Sequence, residues 1–298
     1  MSDALTPRHT LLALGVVAVW GTNFVVIKLA LGHLPPLLFA TLRFTFAAFP
    51  GVFLLRRPKV PLGQLALYGI LIGVGQFGLL FIAMSGRISP GLASLVVQSQ
   101  VFFTIGLALL LTGERLRAVQ VVALVLAAAG IAVIGANSGG TTTVAGVALV
   151  LGAALAWGCG NLVQRRAVGV DMLAYVVWAS LFAVPPLFLL SLTIEGWPAI
   201  VAGVARADAT TWGAIVWQAI GNTMFGYGAW GFLLTRYPAA TVAPWSMLVP
   251  VFGMGTAAWW LAEPLPLWKL GAGALVLSGL ALNLLWPRFT RLWLTAEP

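Results

Sequence analysis

Apolar runs recur along the whole chain, parted by short polar connections, and this pattern constrains the fold more than any single residue does. A bilayer core of about 30 Å is crossed by about 20 apolar residues in helical form. In hydrocarbon every backbone N–H and C=O must be satisfied internally, so each run is predicted to be a helix. Ten are read, near Leu11 to Leu31, Pro36 to Leu55, Leu65 to Met84, Ala93 to Leu111, Val119 to Ala136, Val144 to Leu162, Leu173 to Ile194, Trp212 to Leu234, Thr241 to Leu261 and Leu270 to Trp286. The expected fold class is an all-α membrane protein with ten transmembrane helices. Connections such as Leu34-Pro35-Pro36, Arg57-Pro58-Lys59 and Asn137-Ser138-Gly139-Gly140 carry turn chemistry, and one long loop, 195–211, is expected.

Composition names the solvent. The chain is 61% hydrophobic and 8% charged, with a mean hydropathy of +1.02, whereas a soluble domain carries about 25% charged residues. The net charge of +9 raises the question of nucleic acid, but the 16 basic residues form no tract, so no nucleic-acid partner is expected. The segment Met1 to Thr10 is short and polar, and the run after it is too long for a removed signal peptide, so it is expected to stay as the first span. Cys159 is the one cysteine, which excludes an internal disulfide and thiolate clusters.

Basic residues mark the cytoplasmic side of short loops. Arg8, Arg56, Arg57, Lys59, Arg115, Arg117, Arg165, Arg166, Arg236, Arg288 and Arg291 fall on one side, against Lys28, Arg87, Arg206 and Lys269 on the other. Both termini are therefore expected in the cytoplasm, in an inner membrane.

The two halves resemble each other. Trp20-Gly21-Thr22-Asn23 has a counterpart in Trp157-Gly158-Cys159-Gly160-Asn161, and in each copy the Asn lies one helical turn after the Trp, on the same face. Glu114, Gln120 and Gly130 recur at one constant spacing as Glu263, Lys269 and Gly279, with Pro90 and Pro238 opening the preceding helices. Five spans per half is an odd number, so the second copy enters the membrane upside down. This predicts two inverted five-helix repeats, residues 1–138 and 139–298, a common scaffold of secondary transporters with a midplane site.

Several stretches carry a family resemblance along nearly the whole chain: Val19-Trp20-Gly21-Thr22-Asn23-Phe24-Val25-Val26-Ile27-Lys28, Leu42-Arg43-Phe44, Arg57-Pro58-Lys59-Val60-Pro61, Gly91-Leu92-Ala93-Ser94-Leu95-Val96, Gly113-Glu114-Arg115-Leu116 and Leu248-Val249-Pro250-Val251. Together they resemble the EamA family of the drug/metabolite transporter superfamily, most of all exporters of O-acetylserine and cysteine, with YddG-type aromatic amino acid exporters as neighbours. The resemblance implies outward movement of amino acids or related small metabolites by alternating access, with no cofactor. A broader drug, metabolite or lipid permease is the alternative. One departure stands out: Pro250 precedes Glu263 by the same interval at which Val101 precedes Glu114, so the halves need not bend alike.

Amides facing lipid cost several kcal/mol, so intramembrane Asn and Gln should point inward. Asn23, Gln76, Gln98, Gln100, Asn161 and Asn222 qualify, as substrate contacts or as hydrogen-bonded glue between helices. Gln98 and Gln100 lie roughly 200° apart on a regular helix, so both face one cavity only if the helix is unwound there; Gln100 is favoured. Trp20, Trp157, Tyr227, Trp230 and Trp245 are aromatics not all explained as interfacial anchors, and they serve either as cavity wall or as packing. Tyr227 and Trp230 share a helix face beside Gly226 and Gly228. The expected substrate-binding set is Trp20, Asn23, Gln76, Gln100, Trp157, Asn161, Tyr227, Trp230 and Trp245, with no catalytic and no metal-binding residue.

Arg43, a basic residue inside a span, either captures a substrate carboxylate or, as the stronger reading, locks helices through backbone carbonyls. Lys28 is near enough to a span end to snorkel. Glu114 and Glu263 are expected to cap the next helix in the chain. No span holds a central Asp or Glu, so flux is expected to be facilitative, or coupled weakly or elsewhere. Glycines such as Gly69, Gly73, Gly75 and Gly78 permit close helix contacts. A membrane enzyme lacks its parts: only His9 and His33 occur, the seven carboxylates are dispersed, and no phosphate loop is present. A lipid flippase or an anchoring subunit is the other alternative, and the oligomeric state is not readable.

Overall fold

The computed structural model describes residues 5–112 and 118–294. Glu114, Arg115 and Arg117 fall outside the described residues, and with them the capping role expected of Glu114. Among the described residues the regular structure is helical, with no strand beyond one isolated bridge, Gly139 to Thr142.

The helices are α1 (Pro7–Ala30), α2 (Pro36–Leu54), α3 (Leu62–Met84), α4 (Pro90–Leu111), α5 (Ala118–Ala136), α6 (Val144–Gln164), α7 (Met172–Glu195), α8 (Trp197–Arg206), α9 (209–236), α10 (239–260) and α11 (Leu267–Leu294). Eight of them, α1 to α7 and α11, are long and apolar enough to cross a membrane. The stretches expected as eighth and ninth spans form α9 and α10 and are not among those eight. Each is broken by a non-α turn: a π segment over Trp217–Phe225 in α9 and a 3-10 segment over Ala243–Leu248 in α10. Equivalent breaks occur in the first half, a π segment over Leu71–Gly78 in α3 and a 3-10 turn over Val97–Ser99 in α4.

The single long loop expected at 195–211 contains α8 instead. Gly196, at φ 83°, turns the chain into it, and Pro198 sits in its first turn, where a missing N–H does no harm. Asp208 then caps α9, accepting from the backbone N–H and the hydroxyl of Thr211, both at 2.8 Å. Those bonds hold its carboxyl below the ordinary carboxylate range.

Packing brings α5 against α11, α2 against α7, α1 against α10 and α4 against α6. Glycines permit close approach at several of these crossings. A Cβ on Gly130 would lie 2.9 Å from the Ala272 carbonyl oxygen, and one on Gly279 would lie 2.5 Å from that of Ala123. A Cβ on Gly21 would lie 2.6 Å from the Val249 carbonyl oxygen, and one on Gly158 would lie 3.1 Å from the Thr104 nitrogen. Without a hydrophobic force between helices in lipid, such close contact is itself a main source of stability.

Two helix starts are capped by carboxylates from distant parts of the chain. Glu195, closing α7, accepts from the N–H groups of Leu37 (2.6 Å) and Leu38 (3.0 Å) at the start of α2, which has no cap of its own. Glu263 was expected to cap the helix that follows it; it caps α4 instead. It accepts from the Gly91 N–H at 3.0 Å and from the Ser89 hydroxyl, and pairs with Lys269 at 2.9 Å. The reason is geometric: the 261–266 connection folds back over the start of α4, which carries orphan N–H groups and no side-chain cap of its own. Both side chains of this ion pair are 7% exposed. Lys269→Met should therefore cost about 3 kcal/mol by stranding a buried carboxylate, and adding Glu263→Gln should restore most of it. Thermal melts of the two single variants and the double variant measure this; equal melting of Lys269→Met and wild type would refute it.

Candidate functional site

The non-α turns aim polar side chains at one place. A cavity of about 600 Å³ lies among α1, α3, α4, α6, α9 and α10 and reaches Asn283 and Leu284 of α11. Helix α1 presents Trp20 and Asn23 to it, and α6 presents Trp157 and Asn161. Gln76 comes from the π segment of α3, while Tyr227 and Trp230 come from α9 just past its own π segment. Trp20 fits because Gly226 has no side chain, since a Cβ there would overlap its indole nitrogen. The indole N–H donates to the Asn222 carbonyl at 3.2 Å, and the ring tilts against Tyr227 and Trp230 at 5.7 and 5.2 Å between centroids.

Both Gln98 and Gln100 line the cavity. The 3-10 turn at Val97–Ser99 is the unwinding that this requires, because it shifts the angular step between neighbours away from the α-helical one. Gln98 Nε2 donates to the Ser246 carbonyl at 3.2 Å, tying α4 to α10. Gln100 Oε1 accepts from Asn161 Nδ2 at 2.8 Å, and the same amide donates to the Thr104 hydroxyl at 3.1 Å. Asn23 Oδ1 accepts from Gln218 Nε2 at 2.7 Å.

Trp245 is the one residue of the expected set that the structure does not bring to the cavity. In the 3-10 segment of α10 residues three apart share a face, so Ala243, Ser246 and Val249 turn inward together. Trp245 lies off that face and packs near Ala13, Leu233, Tyr237 and Val242. Thr104, Gln164, Ser246 and Asn283 line the cavity without having been singled out, and Gln218 supports it from behind. The rule applied to the other intramembrane amides reaches Gln218 and Asn283 equally; hydroxyls that bond their own helix, as Thr104 does to Gln100 O at 2.7 Å, give no such signal.

Arg43 is 1% exposed and is not part of the lining. It does not bind backbone carbonyls as expected: its guanidinium stacks 3.4 Å from the centroid of the Phe77 ring and donates to the Thr223 hydroxyl at 3.5 Å. Arg165 is the charged member of the lining, and no Asp or Glu is among the lining residues. Among the described residues no cluster of His, Cys, Asp and Glu could hold a metal ion. Amides, hydroxyls and aromatic faces offer hydrogen bonds and apolar contact to a small solute.

Comparison with known proteins agrees with this chemistry. The EamA-like transporter family matches residues 8–136 and again residues 144–285. A Salmonella typhimurium protein named "Probable amino-acid metabolite efflux pump" is 42% identical over 285 residues, covering 94% of this chain and 95% of that protein. A "Probable terminal-alkyne amino-acid exporter" of Streptantibioticus cattleyicolor is 28% identical, covering 89% and 90%. A solved crystal structure with 21% identity and a TM-score of 0.65, covering 96% of this chain and 99% of that one, shares the fold. Matched in both halves by the family and along nearly its whole length by these relatives, the chain belongs to the EamA-like transporter family.

Proposed function

We propose that the chain exports neutral or aromatic amino acids, or metabolites of the O-acetylserine and cysteine class, across the inner membrane by alternating access. The observation that carries this reading is the cavity of about 600 Å³, walled by amides and indoles drawn from both halves of the chain. Trp20, Asn23, Gln76, Gln100, Trp157, Asn161, Tyr227 and Trp230 form its substrate contacts. The relatives' names supply the direction of transport.

In this reading α9 and α10 complete ten spans, and residues 1–138 and 139–298 form two inverted repeats. The packing supports this. Gly130 meets Ala272 and Val276, while Gly279 meets Ala123 and Ala127, and each of these residues has its counterpart 149 positions away. A π segment followed in the next helix by a 3-10 turn also occurs in each half, in α3 and α4 and again in α9 and α10, although α7 ends in a further π turn, Ser191–Glu195, without a counterpart among the described residues of the first half. The excess of basic residues on one side puts both termini in the cytoplasm. Gln164 and Arg165 then stand at the cytoplasmic end of α6 and Asn283 in the cytoplasmic half of α11, so the cavity extends toward the cytoplasm, and the Glu263 contact with Ser89 and Gly91 closes the opposite side.

With no carboxylate in the lining to carry a proton, flux is facilitative. Purified chain in liposomes should show counterflow of at least one labelled neutral amino acid, at the same rate with and without a pH gradient. Failure to carry any member of the panel defeats the export reading, and strong stimulation by the gradient defeats the uncoupled one.

A further inference from the structure

Arg43 is the largest of the side chains that the fold buries almost completely. A guanidinium stays protonated at physiological pH, so this is a fixed positive charge inside a span. The described ion pairs are His33 with Asp208 and Lys269 with Glu263, neither of which involves it. Its Nε and Nη1 are buried and have no hydrogen-bond partner. An unpaired buried charge is an arrangement that folds avoid unless a counter-ion arrives from elsewhere.

The surroundings say from where. Phe77, whose ring covers the guanidinium, belongs to the lining of the cavity. It sits in the π segment of α3 beside Gly75 and Gly78, and widened turns of this kind loosen the helix locally. Thr223, which accepts from Arg43, lies in the π segment of α9 and donates to the Gln218 carbonyl at 2.9 Å. Gln218 in turn donates to Asn23 on the cavity wall. Arg43 is thus linked to the cavity wall through Thr223 and through the backbone and side chain of Gln218, and its guanidinium lies against Phe77, a lining residue, with Phe44 at 4.8 Å. Two further buried acceptors are unpartnered: Gln76 Oε1, on the cavity wall one residue before Phe77, and Gln218 Oε1, on the amide that donates to Asn23.

We propose that Arg43 is the carboxylate-binding group of an inner subsite, uncovered when the Phe77 ring rotates, with the Gln76 and Gln218 side-chain oxygens accepting from the substrate ammonium. This rests on the amino-acid export reading above and adds the group that recognises the acid. Unpartnered donors on Arg43 and unpartnered acceptors on Gln76 and Gln218 together match a zwitterion, whereas an inorganic anion would leave both acceptors idle. A purely structural Arg43, clamping α2 to α3 through Phe77, would be indifferent to whether the solute carries a carboxylate.

The test compares each carried amino acid with the amine left when its carboxylate is removed, for example L-phenylalanine with phenethylamine and L-cysteine with cysteamine, as competitors of counterflow in liposomes. Wild type should prefer the acid at least tenfold. Arg43→Gln, checked by melting, should bring the ratio to within about twofold, and Arg43→Lys, which keeps the charge but not the fork, should lower it at least threefold. No preference in wild type overturns the proposal whether or not the variants fold, as does an unchanged ratio in folded Arg43→Gln or Arg43→Lys protein. Thermal protection by sodium chloride equal to that by the amino acid overturns it in favour of an inorganic counter-ion. If no amino acid is carried at all, the export reading falls and takes this one with it; if amino acids are carried without regard to the carboxylate, only this one falls.

Discussion

Counterflow through Trp157→Ala protein is expected to fall about thirtyfold while its melting changes little. Trp157 is partly buried and borders the cavity from α6, so its indole supplies contact area to a solute as well as to neighbouring helices. Losing the part of that area offered to a solute removes about 2 kcal/mol of binding, or roughly thirtyfold. Asn161→Ala acts differently. It deletes the amide that bridges Gln100 and Thr104, leaving Gln100 Oε1 without its donor and free to turn. A loss of about tenfold follows from one misplaced hydrogen-bonding group, at about 1.4 kcal/mol. The two residues share a helix face one turn apart, so the double variant should lose less than the product of the two. Both single variants melting as wild type and carrying substrate within twofold of it would remove these residues from the binding surface.

Apolar length and the repeated Trp and Asn were enough to expect a helical membrane bundle and to bring Trp20, Asn23, Trp157 and Asn161 to a shared place, because both signals depend only on regular helical spacing. What the sequence hid is where the helix stops being regular. Gln98 and Gln100 face one cavity only through the 3-10 turn at Val97–Ser99, and no proline or glycine within that turn announces it. The same kind of turn in α10 swings Ser246 inward and Trp245 away, although a tryptophan inside a span looked the better contact. Glu263 was legible as a cap but not as the cap of α4, because its partner is distant in the chain. Arg43 was legible as an oddity. Only the structure reveals that two of its nitrogens are unpartnered and that the ring against its guanidinium, Phe77, belongs to the cavity lining.

Alanine at Gly130 or at Gly279 is expected to destabilise the chain by about 2 to 3 kcal/mol each, and to similar extents. Two effects oppose each other here. Gly to Ala inside a helix gains up to about 1 kcal/mol because the unfolded chain has less freedom to lose. Against this, the new Cβ at Gly279 would meet the Ala123 carbonyl oxygen at 2.5 Å, and that at Gly130 would meet the Ala272 carbonyl oxygen at 2.9 Å. These are backbone atoms of the facing helix, so no side chain can swing aside and α5 and α11 must separate. Overpacking of that kind costs about 1 to 3 kcal/mol, and the separation weakens van der Waals packing along the rest of the crossing as well. Gly135 on α5 and Gly271 on α11 are the controls, because a Cβ at either meets nothing within 4 Å. Alanine there should be neutral or slightly stabilising. Melting in detergent, followed by loss of the monodisperse peak, measures all four. If Gly130→Ala and Gly279→Ala melt like the controls, the crossing is looser than described. If one is severe and the other silent, the two halves do not meet there as equivalent surfaces, and the inverted-repeat reading loses a principal support. The double variant should cost less than the two singles added, because helices already pushed apart by one Cβ leave room for the other.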